Sequence, residues 1–314
     1  MPRFTLILTT ILALAGCSDD FAPYSQLDRL RVLAIQAEPA TPMPGQTTTL
    51  SALVFAPPGD SVATRWTWCP GPAPAAGNYA CPLDQAQADQ LFAPALDPSV
   101  AAALPSLELG TAATASLKNP FALTALASLC ATGLGSLAYA QSFDCDGGFP
   151  LTVVLDVATA RGSLRAGFVL RLPVGPTPEL NQNPVLAGFE LGGLPLAETP
   201  APIVVAPEQT VDLRIDIPAS ASEIRSIPPA EGAPGQRPER LTVSWFADSG
   251  TIDVARTAYI PGQTSLDETS RNRWTAPAAG AWPPLGRVEF IAVLRDDRGG
   301  VGWLARQATV GQAP

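Results

Sequence analysis

Short segments in which apolar and polar residues alternate, separated by Pro and Gly turns, recur along most of this chain. In residues 211–217, Val, Leu, Ile and Ile alternate with Asp, Arg and Asp. A period of two is that of a β-strand with one buried face, and not that of a helix. The 34 Pro and 26 Gly residues suit many tight turns, yet stay below the roughly 25 to 30% typical of disordered low-complexity chains. The pattern predicts an all-β protein.

The same alternation predicts strands on both sides of a Pro-rich stretch near the middle of the chain. Tryptophans fall on the apolar faces of two of them, so we expect Trp66, Trp68 and Trp245 to lie in cores. The predicted strands are residues 33–37, 48–54, 62–68, 151–158 and 163–172 in the first half, and 211–217, 241–245, 287–295 and 301–310 in the second.

The two halves repeat one order of parts. Residues 44–47, Pro-Gly-Gln-Thr, precede the second strand of the first half, and residues 207–210, Pro-Glu-Gln-Thr, precede the matching strand of the second. A strand with a Trp follows in each half. We therefore predict one domain over residues 31–173, a linker over 174–184 and a second domain over 185–314, each with its own core.

This order of strands resembles the immunoglobulin-like sandwich, in which a core Trp lies on the third strand and two sheets pack face to face. The resemblance implies two immunoglobulin-like β-sandwiches. Neither half has a Cys on its second strand, so the inter-sheet disulfide of antibody domains is absent.

An insertion over residues 70–148 interrupts the first predicted sandwich. It reads as partly helical, because Asp97 and Asn119 each precede a Pro, which places a capping side chain before a residue suited to the first helical position. Leu123, Leu126 and Leu129 then form a helical stripe that we expect to end near Gly133.

Four cysteines besides Cys17 lie in or beside this insertion. They allow three pairings, and closeness in sequence favours Cys69 with Cys81 and Cys130 with Cys145. Zinc is the alternative. The chain has no His and no Cys-x-x-Cys pair, which argues against a tetrahedral zinc site.

The N-terminus has the pattern of a secretory signal peptide. Arg3 precedes an uncharged apolar run that ends in Leu-Ala-Gly and Cys17, and that run is too short to span a bilayer. The ending resembles the lipobox of bacterial lipoproteins, which implies cleavage after residue 16 and lipid on Cys17, followed by a tether over residues 17–30. The alternative is an ordinary signal peptide with a Cys at its cleavage site.

Several further segments resemble one family of lipoproteins from Gram-negative bacteria with GC-rich genomes. They are residues 34–39 (Ala-Ile-Gln-Ala-Glu-Pro), 272–277 (Asn-Arg-Trp-Thr-Ala-Pro) and 297–300 (Asp-Arg-Gly-Gly). The resemblance implies a location in the cell envelope and the two-sandwich fold, and no activity is attached to it. Ser18 follows the Cys, with Asp only at position 19, which by the enterobacterial sorting rule favours the outer membrane over the inner.

The absence of His removes Ser-His-Asp and Cys-His catalysis and most metal hydrolases. A carboxylate pair acting on glycosides remains, and Asp144 with Asp146, before two glycines, is the most suggestive pair. The preferred interpretation is a turn, because Asp and Gly are turn formers. Calcium is a weaker alternative, since the other acidic positions of an EF-hand loop are missing.

Two more features allow a binding role and a structural one. Trp274 and Trp282 are predicted to lie in Pro-rich loop segments and to pack between sandwich edge and loop, with stacking on sugars as the alternative. Residues 296–300, Asp-Asp-Arg-Gly-Gly, predict a hairpin turn, with a cation or partner loop as the alternative.

Together these patterns predict a non-catalytic structural or recognition module held on a membrane by its lipid, with an envelope protein or polysaccharide as partner and no cofactor. The alternative is an envelope hydrolase of glycosidase type. A formal net charge of −9 without a basic cluster argues against nucleic acid as a partner.

Overall fold

A computed structural model describes residues 23–132, 143–196, 203–227 and 232–312. The predicted signal peptide, Cys17, the first part of the predicted tether and the predicted helix end at Gly133 lie outside these residues. In the described parts of the chain, no helix is both long enough and apolar enough to cross a bilayer.

Seven strands of the described residues form the first sandwich. They are β1 (Arg31–Glu38), β2 (Thr47–Phe55), β3 (Ala63–Cys69), β4 (Glu108–Gly110), β5 (Ala115–Lys118), β6 (Phe149–Thr159) and β7 (Gly162–Leu172), with helices α1 (Gln85–Phe92) after β3 and α2 (Leu123–Thr132) after β5. One sheet has the spatial order β1-β2-β5 and the other β4-β3-β6-β7. Every neighbouring pair is antiparallel.

The second sandwich has the same plan with a few more strands. Its elements are β8 (Gly188–Leu191), β9 (Leu194–Pro195), β10 (Ile203–Val205), β11 (Thr210–Asp216), β12 (Ile224–Ser226), β13 (Gln236–Pro238), β14 (Leu241–Ala247), β15 (Thr251–Ile252), β16 (Arg256–Tyr259), α3 (Leu266–Thr269), β17 (Arg271–Thr275), β18 (Arg287–Asp296) and β19 (Val301–Gln312). Its two sheets have the spatial orders β10-β19-β18-β14-β16 and β15-β17-β11-β8-β9, and β12 pairs with β13 in a separate two-stranded sheet.

The sheet orders confirm the immunoglobulin-like fold. In the first sandwich β2 pairs with β5, which follows the Trp strand β3 in the chain, and β3 pairs with β6 in the other sheet. In the second, β11 pairs with β17, which follows the Trp strand β14, and β14 pairs with β18 in the other sheet. This crossing of chain order between two sheets is the Greek-key arrangement of immunoglobulin-like domains. All the strands predicted from the alternation are present.

The stretch over residues 70–148 differs from the expected insertion. It contains two strands of the sandwich: β4 pairs with β3 in one sheet, and β5 pairs with β2 in the other. The stretch therefore contributes strands to both sheets as well as carrying helices. These strands have three and four residues, too few for the alternation to be recognised.

The predicted helix starts were partly wrong. Asp97 begins only a turn, in which its carboxylate accepts the amide of Ser99 at 2.9 Å. The helix before it, α1, is capped by Asp84, whose carboxylate accepts the Gln87 amide while the Gln87 side chain accepts the Asp84 amide. Asn119 accepts the amide of Phe121 at 3.0 Å, and α2 follows.

The repeated Pro-x-Gln-Thr motif forms the same turn in both sandwiches. The Gln46 amide donates to the Met43 carbonyl and its side-chain oxygen accepts the Met43 amide, and Gln209 makes both bonds with Ala206. The residue before each Gln has a positive φ, 77° at Gly45 and 60° at Glu208. A Pro followed by a positive φ is the type II turn, so the repeat is structural.

Each sandwich has its own core, and a third apolar cluster joins them. Trp66, Trp68 and Trp245 are almost fully buried in the two main cores, as predicted. We call the third cluster the apolar joint. It consists of Leu27, Leu33, Ala34, Phe246, Ile291, Val293 and Val301.

The N-terminal segment takes part in this joint, although residues 17–30 were expected to be a tether. The Leu27 amide donates to the carbonyl of Ala247 at 2.9 Å, and the Ala247 amide donates to the carbonyl of Ser25 at 3.0 Å. Leu27 is only 2% exposed. The chain therefore crosses the edge of the second sandwich before it enters the first, and the two halves are packed together.

Candidate functional site at the joint between the sandwiches

Both predicted disulfides are confirmed. Cys69 is bonded to Cys81, with 5.4 Å between Cα atoms, and Cys130 to Cys145, with 5.9 Å. Cys69 ends β3 and is completely buried, so the first bond fixes the start of the long connection to the core. The second bond ties helix α2 to the turn that precedes β6.

Asp144 and Asp146 lie in that turn, as the preferred interpretation of a structural turn predicts. One Asp144 oxygen accepts the Asp146 amide at 3.1 Å, and the other accepts the Arg171 guanidinium at 3.2 Å. The Gly148 amide closes the turn on the Cys145 carbonyl at 2.9 Å. Both Asp144 oxygens thus serve the local structure. In the residues described above, no three acidic or cysteine side chains cluster in a way that suits a metal ion.

Trp274 is a core residue, which corrects its assignment to a loop. It lies on β17, is completely buried, and donates its indole N–H to the Ser249 carbonyl at 2.8 Å. The sugar-stacking alternative is therefore wrong for Trp274. Trp282 is half-buried and packs against the second core, which agrees with the preferred interpretation.

Residues 296–300 form the predicted hairpin turn between β18 and β19, and the turn carries a buried arginine. The Arg298 side chain is 7% exposed. It donates to the carboxylate of Glu239, to Glu223 at 2.8 Å and to the carbonyl of Leu180 at 3.0 Å. Since residue 180 belongs to the predicted linker, Arg298 holds the linker against the second sandwich.

The two aspartates of this turn extend the network. Asp297 accepts Arg225 at 2.8 Å and Arg237 at 3.3 Å. Asp296 accepts the side-chain amide of Asn181 at 3.0 Å. We call this set the polar joint, which comprises Asn181, Glu223, Arg225, Arg237, Glu239, Asp296, Asp297 and Arg298.

One linker residue bridges the two sandwiches directly. The Asn183 side chain donates to the Ala37 carbonyl on β1 at 2.7 Å and accepts the Val301 amide of β19 at 2.9 Å. The described linker is therefore held at fixed places on both sides.

Burial dominates the electrostatics of the polar joint. Glu239 is 1% exposed, and burial, followed by the negative charge of Asp296, raises its pKa to about 7. The hydrogen bond and charge of Arg298 act in the opposite direction. Burial also raises the pKa of Asp296. The joint therefore contains a carboxyl group that titrates near neutral pH.

The structure also brings together a carboxylate pair that the sequence did not suggest. Asp248 accepts the amide of Glu289 at 2.9 Å. Burial raises the pKa of both carboxyls, and the charge of Asp248 raises that of Glu289 further. The residues follow β14 and lie within β18, so only the folded sheet places them side by side.

Two concave surfaces lie near these elements. A cleft of about 200 Å³ separates the disulfide turn at Asp146 from Glu179, Arg225 and Arg298 of the polar joint. A wider groove of about 560 Å³ crosses the outer face of β3, β6 and β7. Its charged side chains are Arg65, Asp156 and Arg165, and Arg165 pairs with Asp156 at 2.6 Å.

No protein-family model and no curated protein matches the chain. Among solved structures it is similar to three N-terminal domains of the outer capsid protein Hoc of bacteriophage RB49, with 8% identity and a TM-score of 0.21 over 91% of this chain and 71% of that one. It is also similar to murine CEACAM1b, with 9% identity and a TM-score of 0.21 over 88% of this chain and 99% of that one. The titin domains Z1Z2, from a complex with telethonin, have 10% identity and a TM-score of 0.21 over 92% of this chain and 100% of that one. At these values the fold assignment depends on the strand order described above.

Proposed function

We propose that the chain is a lipid-anchored protein of the cell envelope, cut before Cys17 and sorted to the outer membrane. There it acts as a non-catalytic structural or recognition module. Its two sandwiches work as one body that holds a binding surface at a set place above the membrane, with an envelope protein or polysaccharide as partner.

The observation that carries this proposal is the double joint between the sandwiches. The apolar joint buries side chains from the N-terminal segment, β1, β14, β18 and β19. Asn183 and Arg298 fix the linker with hydrogen bonds. A Pro-rich linker alone would leave the domains free to move, whereas here apolar packing and the hydrogen bonds of the linker oppose movement. Rigidity of this kind suits presentation of a surface more than closure around a substrate.

The groove on the first sandwich is the surface that we propose for recognition. Arg65 is half exposed there, and Asn78 borders the groove from the loop closed by the Cys69–Cys81 bond. Polar side chains held on a rigid sheet offer hydrogen bonds to sugar hydroxyls or to a polypeptide.

Anchoring is tested by metabolic labelling with an alkyne fatty acid. The wild-type chain is expected to carry the label and the Cys17→Ser variant to lose it, because acyl chains on that cysteine supply the membrane affinity. Immunoblotting establishes that both chains accumulate. A serine variant labelled as strongly as the wild type contradicts the anchor.

Recognition is tested by capture from detergent-solubilised envelope with the tethered chain as bait. The Arg65→Ala, Arg165→Ala double variant is expected to lose the captured partner, since these guanidinium groups line the groove. Arg214→Ala, Arg271→Ala is the matched control, because both of those arginines are exposed on the second sandwich. Equal capture by the two double variants contradicts the assignment of the groove.

A further inference from the structure

Three arginines cluster around one exposed tyrosine at the start of the described chain. The Tyr24 ring is 41% exposed. The guanidinium carbon of Arg31 lies 5.0 Å from the ring centroid and that of Arg256 lies 4.7 Å from it. Burial lowers the pKa of Arg295; the charge of Tyr24 acts to raise it and that of Arg256 to lower it, so Arg295 lies within electrostatic range of both. We call Tyr24, Arg31, Arg256 and Arg295 the tyrosine cluster.

None of these three guanidinium groups forms an ion pair with a carboxylate of the described residues. Arg31 donates to the carbonyls of Tyr24 and Gln26, at 2.6 and 2.8 Å, and Arg295 donates to that of Leu33. Arg295 also donates to the Ser244 hydroxyl at 3.4 Å. These acceptors are uncharged, so within the described residues no carboxylate compensates the three positive charges. Adjacent like charges repel one another, so the cluster favours an anion at its open side.

The position of the cluster indicates which anion. Pro23 begins the described chain, and only residues 18–22 separate it from the predicted lipid-bearing Cys17. The six Cα-to-Cα steps from residue 17 to residue 23 span at most about 20 Å when fully extended. A surface within that distance of an acylated residue can reach the headgroups of the bilayer. Arg and Tyr side chains are also suited to a membrane interface, since each has an apolar part and a polar end.

We propose that the tyrosine cluster is a membrane-contact site that binds the phosphate of anionic lipid headgroups. The proposal rests on the proposed lipid anchor. The site would set the orientation of the protein on its membrane, because the apolar joint ties the N-terminal segment to the second sandwich.

The test uses the acyl-free chain of residues 18–314, which keeps every described residue. Its flotation with vesicles of phosphatidylcholine containing about 30% phosphatidylglycerol is compared with flotation on phosphatidylcholine alone, at about 50 mM salt so that screening is weak. Wild type is expected to float with the anionic vesicles. Arg256→Glu is expected to lower that partition at least about fivefold, since one basic residue near an anionic surface contributes on that order.

Arg273→Glu is the matched control. Arg273 lies on β17, in the other sheet of the same sandwich, and is 60% exposed. The substitution makes the same charge change away from the cluster, so its partition should stay within about twofold of wild type. Equal losses in the two variants would mean that net charge alone matters and would overturn the site.

Two further outcomes also overturn the proposal. One is the absence of wild-type flotation on anionic vesicles. The other is a rise in melting temperature with inorganic phosphate that Arg256→Glu abolishes, without vesicle binding, which would assign the site to free phosphate. Because the chain used carries no lipid, these results do not depend on labelling at Cys17, and failure of the anchor is read from that separate experiment.

Discussion

The two sandwiches share a strand order but are stabilised by different means. In the first, residues 70–148 separate the Trp strand from its long partner β6, and two disulfides close loops within that connection. In the second, the corresponding connection is residues 248–286, without cysteine, and the turn between the last two strands is held by the buried pair of Arg298 and Glu239. Longer connections cost more conformational entropy to close. The comparison teaches that the disulfides occur in the sandwich with the longer connection between the Trp strand and its partner strand.

Removal of a disulfide is the largest expected effect. Replacing both Cys69 and Cys81 with Ala should cost the first sandwich about 3 kcal/mol of unfolding free energy, because a loop of this length loses that much entropy when cross-linked. Hydrogen exchange of native protein should show faster exchange of β6 amides, while β18 amides keep their protection.

The double Ala variant of Cys130 and Cys145 serves as the comparison, because its bond closes a loop of similar length but ties a helix rather than a core strand. If β18 loses as much protection as β6 in either variant, the two sandwiches unfold as one unit and the contrast between them disappears.

The second prediction concerns the pH dependence of the buried pair. Because the pKa of Glu239 is raised to about 7, the folded state holds a proton that the unfolded state releases above its ordinary pKa. The contribution of Glu239 to stability is therefore complete at low pH and is lost as pH rises toward 7. Between pH 4.5 and 8 the wild type should lose about 1 to 3 kcal/mol more than Glu239→Gln in urea unfolding.

Asp296, Arg298 and Glu223 face Glu239 and remain in both proteins, so the difference isolates one carboxyl. Glu268→Gln is the control, since hydrogen bonds from Ser265 lower the pKa of Glu268 and place its effect at more acidic pH. Parallel pH profiles for wild type and Glu239→Gln would show that the buried pair does not titrate in this range.

The smallest effect concerns the repeated turn. Glu208 adopts a φ of 60° where the first sandwich has Gly45 at 77°, and a positive φ costs a residue with a Cβ about 1 kcal/mol. Glu208→Gly should raise the unfolding free energy by up to about 1 kcal/mol, and Gly45→Glu should lower it by about 1 kcal/mol or more. A Cβ at position 45 would lie 3.3 Å from Val100. Changes of the same sign in urea unfolding would contradict the equivalence of the turns.

The features that could be predicted from the sequence, the long strands and the disulfide pairings, depend on local pattern. Strands of seven or more residues with one buried face show the alternation, and the disulfides join cysteines that are neighbours in sequence. The short strands β4 and β5 could not be recognised in this way. Trp274 was misplaced because Pro277 suggested a loop, although Arg271 and Arg273 alternate with Asn272 and Trp274 as in a strand.

Neither joint could be read from the sequence. Arg298 and Glu239 are 59 residues apart, and nothing in their surroundings distinguishes a buried ion pair from two surface charges. The three arginines of the tyrosine cluster come from β1, β16 and β18, which only tertiary folding brings together. Sites made of single residues from distant strands leave no periodic signal.

The bridge between Gln26 and Ala247 joins residues about 220 positions apart. A ribosome makes residues 25–27 early, but their partner strand β14 emerges only after the first sandwich and the linker have been synthesised. Contacts so distant in sequence form late, because the intervening chain must first be ordered. Until then the edge of β14 at Ala247 is unpaired, and an unpaired edge can associate with another chain. The arrival of the N-terminal segment is therefore the step that closes this edge of the second sandwich.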